Sequence, residues 1–573
     1  MCLILGVQQA VVGEAMLLGT KLGLDPTILS SVIGSSTGNC WSVSVNNPVP
    51  HALPEKSPPC ERDYEGGFAS ALMVKDMGLA SNMASLAGCP IPMGEAAEIL
   101  YAQMIEENPE LARKDFSSVY LYLKKAMVEG KQWPTTLPSQ MSSSAVRFLC
   151  LRYPISSEPS SGGVNTYSRA LAAYLVPLDG EPLVSHLRIV DKYSVEPATT
   201  YIGSEFPQVL NKPQVDYKQA NLTNTLLTPR LAIVESVFEP PTGQRPYDYV
   251  FDLSGEVRYD RTEMIQINTT HNVARMLGQE AAKRNVKAYV RVTLPFYETS
   301  SKGPHDEKDD PKPDGTIGIW WHETLRTLAA IDNNISLNLV ILRAGFVYGP
   351  YVEFGDITSA ITVASVYGYL KKPMKSVWSP GKNPTNTLHV VDLAGAAWAS
   401  AQWMASLGRK EADILAGESI IFHNEKAKVS QVTGMQPHDK RLVAPLFNIV
   451  DDSKSTLLSV GQTVTSFFGT TFDFFNFAER NLYKFMDDTV EEINEQHVGG
   501  WTEMIQSSDP PVLKTPLSAY MDKYALEKHV VEFNNTKIKE IIGYTLKYSQ
   551  FNHDAIRDTV GKWKEEGSWP TLV

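Results

Sequence analysis

The residues whose types best suit chemistry begin with a pair of glycines. Residues 162–168 read GGVNTYS, and Gly162 and Gly163 can form the tight turn that brings a backbone close to a pyrophosphate. Asn165 and Ser168 occupy the later positions of this motif, where a phosphate-binding turn has glycine. Ten residues also separate the glycines from the apolar run before them, whereas the motif should follow a strand at once. The pattern indicates a weakened dinucleotide site, and the alternative is a turn that serves only the fold.

A carboxylate follows at position 191, directly after the apolar run 187–190. An acid at the end of such a strand can accept hydrogen bonds from the ribose of an adenosine group. A carboxylate also repels a 2′-phosphate, so Asp191 favours NAD over NADP as the cofactor.

The elements that must position these residues alternate between apolar runs and helical stretches. This alternation predicts an α/β fold of the Rossmann type, with a doubly wound parallel sheet. The charged, Pro- and Gly-rich residues 299–316 predict a loop. The expected strands are 146–151, 187–190, 249–253, 287–292 and 337–342, and the expected helices include 264–284 and 319–331.

Ordered landmarks in this half carry a family resemblance. They are INTTHNV at 267–273, LRAGFVYGP at 342–350, LHVVDLA at 388–394 and FNI at 447–449. Together with Asp191 they resemble the NAD-dependent epimerase/dehydratase family, the extended short-chain dehydrogenases, across residues 146–573. The resemblance implies a Rossmann core over about 146–350 and a smaller substrate subdomain over about 351–573, which 388–394 introduces and to which 447–449 contributes a strand. It also implies catalytic roles for Asn268 and Thr293.

The proton relay that this resemblance implies is incomplete. In that family a hydroxyl binds the substrate, a tyrosine transfers the proton, and a lysine lowers the pKa of the tyrosine. Thr293 can stand in for the hydroxyl, but residues 314–346, which should carry Tyr-x-x-x-Lys on a helix, contain no tyrosine and no lysine. His322 can move a proton in principle, although a lone histidine on an aromatic-rich helix is more often structural. We therefore expect impaired catalysis.

The first 132 residues carry helical periodicity and predict an all-α domain, with residues 133–145 as a Pro- and Ser-rich linker. Expected helices are 1–23, 68–87, 93–107 and 115–129, with another beginning at a cap near Asp25. Apolar residues at helical spacing on the first helix predict a buried stripe, formed by Ile4, Val7, Val11, Ala15, Leu18 and Leu22.

Four segments of this domain carry a second resemblance: SSTGNCWS at 35–42, NPVP at 47–50, GGF at 66–68 and LMVKDMGLA at 72–80. They resemble the C-terminal helical domain of 3-hydroxyisobutyrate dehydrogenases, which has the fold of the 6-phosphogluconate dehydrogenase C-terminal domain. The resemblance implies that Lys75 reaches the nicotinamide end of the cofactor. It also implies a substrate pocket shaped by Ser36, Gly38, Trp41 and Asn47. The alternative is that these residues persist only as packing.

The same resemblance implies a catalytic lysine on the helix that precedes this domain. An ungapped alignment puts that lysine about three residues before Met1, and the family's helix asparagine on Cys2. On this expectation the chain does not oxidise 3-hydroxyisobutyrate, because general base catalysis needs that lysine.

Composition excludes several classes of function. A net charge of −12 and a pI near 5.5 argue against a nucleic-acid partner. Five cysteines without CxxC spacing argue against a disulfide framework or a metal site. The apolar stretch 1–23 has no basic region before it and contains Gln8, Gln9 and Glu14, so no membrane span is expected. We expect a cytoplasmic protein with a small-molecule substrate, and a homodimer is one option; a mitochondrial location is the alternative if further residues precede Met1.

Three interpretations follow from the sequence. The first is an NAD(P)-binding oxidoreductase or epimerase-like enzyme with an altered relay. The second is a nucleotide-binding or scaffold module that keeps the fold and has lost catalysis. The third is the product of two neighbouring coding regions that were joined, with the first one truncated; an upstream exon that encodes Gly-x-Gly-x-x-Gly and the missing lysine would identify this case.

Overall fold

The computed structural model describes residues 2–86, 89, 91–128, 147–151, 166–223, 227–241, 244–300, 303–331, 336–476, 489–521 and 526–572. The chain forms two compact units, Met1–Ser139 and Gln140–Val573.

The described residues of the first unit form helices. α2 begins after Asp25, whose carboxylate accepts hydrogen bonds from the backbone N–H groups of Thr27 and Ile28. α1 contacts each of the other five α-helices of this unit. The α-helices are α1 (Cys2–Lys21), α2 (Pro26–Gly34), α3 (Trp41–Ser44), α4 (Ser70–Leu86), α5 (Pro92–Glu107) and α6 (Val119–Val128), with 3₁₀ turns at Pro59–Arg62, Pro109–Arg113 and Phe116–Ser118.

The buried face of α1 differs from the predicted one. Four residues of the predicted stripe are 47 % to 73 % exposed (Ile4, Val11, Leu18 and Leu22), and Ala15 is exposed as well. The buried face carries glycines together with Val12 and Met16. A Cβ on Gly6 would lie 2.3 Å from Met77 Sδ, and one on Gly19 would lie 2.3 Å from Leu29 Cδ2. Close approach of the neighbouring helices, which needs small residues, decides which face is buried.

By length and composition alone, Leu3–Lys21 also meets the requirement for a membrane span, with a mean hydropathy of 1.4. Among the described residues it is the one helix that does so.

The second unit is built on an eight-stranded sheet. Its order is β12-β13-β8-β5-β4-β1-β2-β3, with β12 antiparallel to β13 and every other pairing parallel. Strand order therefore reverses between β1 and β4, as in a doubly wound Rossmann sheet. The strands of this sheet are β1 (Arg147–Leu151), β2 (His186–Asp191), β3 (Val215–Gln219), β4 (Tyr249–Asp252), β5 (Ala288–Thr293), β8 (Leu339–Ala344), β12 (Gly417–Ser419) and β13 (Val443–Ile449).

The described residues of the second unit also form smaller strand pairings: β6 (Tyr297–Glu298) with β7 (Lys312–Pro313), β9 (Phe346–Tyr348) with β11 (Thr387–His389), and β10 (Met374–Ser376) with β14 (Phe472–Phe474). The predicted loop 299–316 thus contains the strand β7. Hydrogen bonds also join this segment to residues near the C-terminus, because the backbone N–H groups of Thr299 and His305 donate to the carbonyls of Val530 and Glu532.

Helices cover both faces of the main sheet. One face packs against α7 and α14, and the other against α9, α11 and α12. The predicted helix 264–284 is two α-helices joined by a π-turn at Ile267–His271. The helices are α7 (Thr166–Leu175), α8 (Phe206–Leu210), α9 (Leu227–Phe238), α10 (Glu263–Gln266), α11 (Asn272–Lys283), α12 (Gly315–Ala329), α13 (Asp356–Leu370), α14 (Val390–Leu407), α15 (Arg409–Ala416), α16 (Lys428–Gln431), α17 (Leu457–Phe467), α18 (Thr489–Gln506) and α19 (His553–Glu565), with a second π-turn at Ile538–Ile542.

A separate hydrophobic cluster joins α13, α17, α18 and α19 into a smaller subdomain. Residues 447–449, expected in that subdomain, belong to β13 and pair with β8 in the main sheet. α14, which begins at Val390, likewise packs on β5 and β8. The physical reason is burial, since β13 is buried along six of its seven residues and such a strand needs cover on both faces.

Candidate functional site

The carboxyl ends of the parallel strands meet at one edge of the sheet, where doubly wound folds bind their ligands. Asp191 ends β2 at this edge and is fully buried, and its Oδ1 accepts a hydrogen bond from the Tyr193 backbone N–H at 3.2 Å. Asp252 ends β4 and Thr293 ends β5, which places both at the same edge. Gly162 and Gly163 lie outside the described residues.

A buried ion pair lies below the end of β4. Asp252 Oδ2 lies 2.8 Å from Arg291 Nη1 and accepts a hydrogen bond from the Tyr289 hydroxyl at 2.7 Å. Neither charged side chain is exposed to solvent. The Arg291 guanidinium stacks under the Trp321 ring, with 4.8 Å between its carbon and the ring centre. The ion pair of Asp252 and Arg291 therefore supports the Trp321 ring from one side.

Two further polar groups lie beyond the end of β5. One is Tyr297, four residues after Thr293, and the other is His322 of α12. The Tyr297 hydroxyl lies 3.4 Å from His322 Nδ1, and His322 Nε2 lies 2.6 Å from the Ile421 carbonyl oxygen. A carbonyl only accepts, so Nε2 carries the proton and Nδ1 accepts from the phenol. Burial lowers the pKa of His322 to about 3, and burial raises the pKa of Tyr297. Both groups are therefore neutral at physiological pH.

The helix that should carry the tyrosine and lysine is α12. It presents Trp320, Trp321 and His322 instead, all of them buried. Sequence reasoning missed Tyr297, although its position four residues after Thr293 could have indicated it. Thr293 is itself fully buried at the end of β5. The structure brings a hydroxyl, a phenol and an imidazole to one region but adds no lysine from α12.

Sequence reasoning also missed Glu323. Its Oε1 accepts a hydrogen bond from the His423 backbone N–H at 2.8 Å, and its Oε2 lies 3.3 Å from Arg326 Nε. Burial raises the pKa of this carboxyl to about 7. Asn268 lies in the π-turn Ile267–His271, where its Oδ1 accepts a hydrogen bond from Asn272 Nδ2 at 3.2 Å.

Apolar side chains fill the edge of the sheet beyond β4 and β5. Leu294, Phe296, Ile317 and Trp321 form one buried cluster, and Tyr167 from the first turn of α7 packs against it. Asp191 lies at one end of this edge, at the position from which an acid of a doubly wound fold accepts hydrogen bonds from a ribose. On the side of β4 and β5 the described residues include this apolar cluster.

The predicted site residues of the first unit have different surroundings. Lys75 is 62 % exposed in its side chain and pairs with Asp76 at 3.1 Å. Ser36 Oγ donates to the Ile33 carbonyl at 2.9 Å and accepts from the Gly38 backbone N–H at 3.2 Å. These side chains are accessible to a ligand.

Trp41 and Asn47 differ from each other in burial. Trp41 is half exposed, and its ring stacks against that of Phe116 with 6.4 Å between the centres. Asn47 is fully buried, its Nδ2 donates to the Val43 carbonyl at 3.2 Å, and its Oδ1 accepts from the Val49 backbone N–H at 3.1 Å. Asn47 thus stabilises the turn after α3. In the part of the chain that the structure describes, no group of three or more His, Cys, Asp or Glu is arranged to hold a metal ion.

Comparison with known proteins distinguishes the two units. Residues 2–123 match the family described as "NAD-binding of NADP-dependent 3-hydroxyisobutyrate dehydrogenase". The chain is 44 % identical over 123 residues to the mitochondrial 3-hydroxyisobutyrate dehydrogenase of Drosophila melanogaster, a stretch that covers 22 % of this chain and 37 % of that protein. It is 39 % identical over 123 residues to the Bos taurus enzyme, with 22 % and 35 % covered. The chain therefore spans little more than a third of the length of these relatives.

Solved structures similar over the larger part of the chain include a UDP-glucose 4-epimerase and an enzyme in complex with NAD. A UDP-glucose 4-epimerase from Thermotoga maritima in complex with UDP-glucose is 14 % identical, with a TM-score of 0.42, and the match covers 73 % of this chain and 99 % of that one. The Bordetella bronchiseptica enzyme WbmG in complex with NAD is 13 % identical, with a TM-score of 0.43 and coverages of 74 % and 96 %. The order and direction of the strands establish the fold of the second unit independently of these similarities. Residues 2–123 are therefore similar to the NAD-binding region of 3-hydroxyisobutyrate dehydrogenases, and the second unit is a Rossmann-type α/β fold.

Proposed function

We propose that this chain is an NAD-binding protein of the oxidoreductase class whose second unit holds the cofactor at the carboxyl edge of its sheet and is catalytically impaired. The observation that supports cofactor binding is the buried carboxylate of Asp191 at the end of β2, one strand from the point where the strand order reverses. An acid at that position accepts hydrogen bonds from the adenosine ribose, and its charge disfavours a 2′-phosphate. NAD is therefore the proposed cofactor, ahead of NADP.

The impairment rests on α12 and its surroundings. A lysine close to the catalytic tyrosine would lower the pKa of the phenol, and Gly315–Ala329 carries neither residue. The phenol that the structure does place nearby, Tyr297, donates to a neutral imidazole and is 3 % exposed. Burial raises the pKa of this phenol, which opposes proton transfer near neutral pH.

A second candidate is an active oxidoreductase that uses Tyr297 and His322 in place of the missing pair. The 3.4 Å approach of the phenol to His322 Nδ1 favours it, since a neutral imidazole can accept a proton. NAD-dependent turnover that is lost in Tyr297→Phe would establish this candidate over the impaired one.

For the first unit, taken by itself and separately from the nucleotide site of the second unit, we propose that Lys75 can contact the nicotinamide end of a dinucleotide, as the similarity to 3-hydroxyisobutyrate dehydrogenases implies. The exposure of its side chain supports this role. A small-molecule substrate and a cytoplasmic location are also part of the proposal.

Fluorescence titration of the full chain with NADH tests the proposal for the second unit. Asp191→Asn keeps an acceptor for the Tyr193 backbone N–H but removes the charge, so we expect NADH affinity to fall about 10- to 100-fold. Asp248→Asn is the matched control, because Asp248 directly precedes β4 at the opposite edge of the sheet. Equal affinity of the Asp191→Asn variant and the unmodified chain would contradict the proposed site.

A further inference from the structure

The two halves of a dinucleotide would lie on opposite sides of the point where the strand order reverses. Asp191 on β2 marks the adenosine side, which comprises β1, β2 and β3. The nicotinamide half would therefore lie beyond the ends of β4 and β5. The residues that follow these two strands decide whether there is room for it.

Trp321 fills this space. It is 2 % exposed and shares a buried cluster with Leu294 and Phe296, which directly follow β5. Its ring lies against Gly255 after β4, where an added Cβ would come within 2.4 Å of Trp321 Cζ2. Tyr167 of α7 packs against the same cluster from the side of β1. The crevice is thus occupied by side chains from both sides of the reversal.

Several contacts hold the indole in place. Trp321 Nε1 donates to the Glu256 carbonyl at 2.7 Å, and the Phe296 ring lies 5.7 Å away between centres. The Arg291 guanidinium lies over the ring at 4.8 Å from its centre, and Arg291 is paired with the buried Asp252. Rotating the indole outward would break its hydrogen bond and expose the cluster, so the closed arrangement is the stable one.

We propose that the second unit binds the adenosine diphosphate half of NAD and that Trp321 excludes the nicotinamide half from the edge of the sheet. This inference rests on the proposed function, because it assumes the adenosine contact of Asp191. The ligand class is consequently an adenine nucleotide such as ADP-ribose, and the nicotinamide riboside of bound NAD stays in solvent. No hydride transfer at Thr293 is then available to the second unit.

The test compares NAD with ADP-ribose by isothermal titration of the full chain. The unmodified chain should bind both with dissociation constants within about threefold of each other, since the nicotinamide half adds no contact. Trp321→Ala should raise the affinity for NAD about tenfold and should change the affinity for ADP-ribose by no more than about twofold. Trp321→Leu, which keeps part of the apolar volume, should give a smaller change in the same direction.

Trp320→Ala is the matched control. Trp320 is the neighbouring tryptophan on α12 and equally buried, but it packs with Ile267 and Met435 and donates to Glu263 Oε1 at 3.2 Å. Its removal opens a comparable cavity elsewhere and should leave the ratio of NAD to ADP-ribose affinity unchanged. Thermal melting of the variants confirms that they are folded during titration.

Different failures are distinguishable. NAD binding at least about tenfold tighter than ADP-ribose in the unmodified chain would overturn the exclusion and leave NAD binding intact. An unchanged NAD affinity in folded Trp321→Ala would overturn it as well. Absence of binding by both nucleotides at millimolar concentration would overturn the proposed function and, with it, this inference.

Discussion

Burial decides the chemistry of two neighbouring residues on α12. Desolvation lowers the pKa of His322 to about 3 and raises the pKa of Glu323 to about 7. His322 is thereby an uncharged acceptor for the Tyr297 hydroxyl, and Glu323 loses much of its charge near neutral pH despite the nearby Arg326. The fold thus keeps the imidazole of His322 neutral and leaves the carboxyl of Glu323 partly protonated near neutral pH.

Acid should weaken the second unit through His322. Its pKa in the folded protein is about 3 and that of an exposed histidine is about 6.5, so its contribution is present above pH 6.5 and is lost as the pH falls toward 3. Between pH 7.5 and pH 5 the loss is about 2 kcal/mol of unfolding free energy. Urea unfolding of His322→Gln should show a pH dependence smaller by about this amount.

His553→Gln provides the control for this measurement. His553 is exposed at the start of α19, so its replacement should leave the dependence on pH as in the unmodified chain. An acid-induced loss of the same size in His322→Gln and in the unmodified chain would refute the assignment.

At the scale of elements, glycines determine how closely helices approach their neighbours. In α12, Gly318 faces the backbone after β5, and an added Cβ would lie 2.4 Å from the Phe296 carbonyl oxygen. The helix can present Trp321 to the edge of the sheet because it packs this closely. In α1 the same effect buries the face that carries Gly6 and Gly19, whereas Ile4, Val11 and Leu18 are exposed.

Gly318→Ala should therefore destabilise the second unit by about 1–3 kcal/mol, because backbone atoms cannot yield as a flexible side chain can. Gly561→Ala in α19 is the matched control: nothing lies within 4 Å of its added Cβ, so alanine should raise stability by up to about 1 kcal/mol. Thermal unfolding of both variants measures the two effects. Equal stability of Gly318→Ala and the unmodified chain would show that α12 can shift away without cost.

At the scale of the whole molecule, each unit has hydrophobic clusters of its own. Clusters of the first unit join residues of α1, α4, α5 and α6, and those of the second unit join the sheet to its helices. A unit with its own core can unfold on its own.

Differential scanning calorimetry of the full chain should accordingly show two transitions. Residues 1–139 and residues 140–573, produced separately, should each reproduce one of them, because each unit has hydrophobic clusters of its own. A single cooperative transition in the full chain, together with unfolded fragments, would contradict this expectation.

The sequence by itself determined the alternation of strands and helices after residue 146, and with it the parallel Rossmann sheet. Buried parallel strands are continuous apolar runs, so β2, β4, β5 and β8 lie within a few residues of their predicted positions. It also determined the acid at the end of β2, because a strand-ending carboxylate needs only local sequence to be recognised. The absence of tyrosine and lysine from α12 could also be recognised from local sequence alone.

Tertiary structure decided what local patterns do not encode. The assignment of β13 to the main sheet depends on its pairing with β8, nearly a hundred residues away in sequence. The buried face of α1 depends on which neighbours can approach its glycines. The burial of Trp321 beyond the ends of β4 and β5 depends on α12, β4 and β5 meeting at one edge, since the residues in contact there are far apart along the chain.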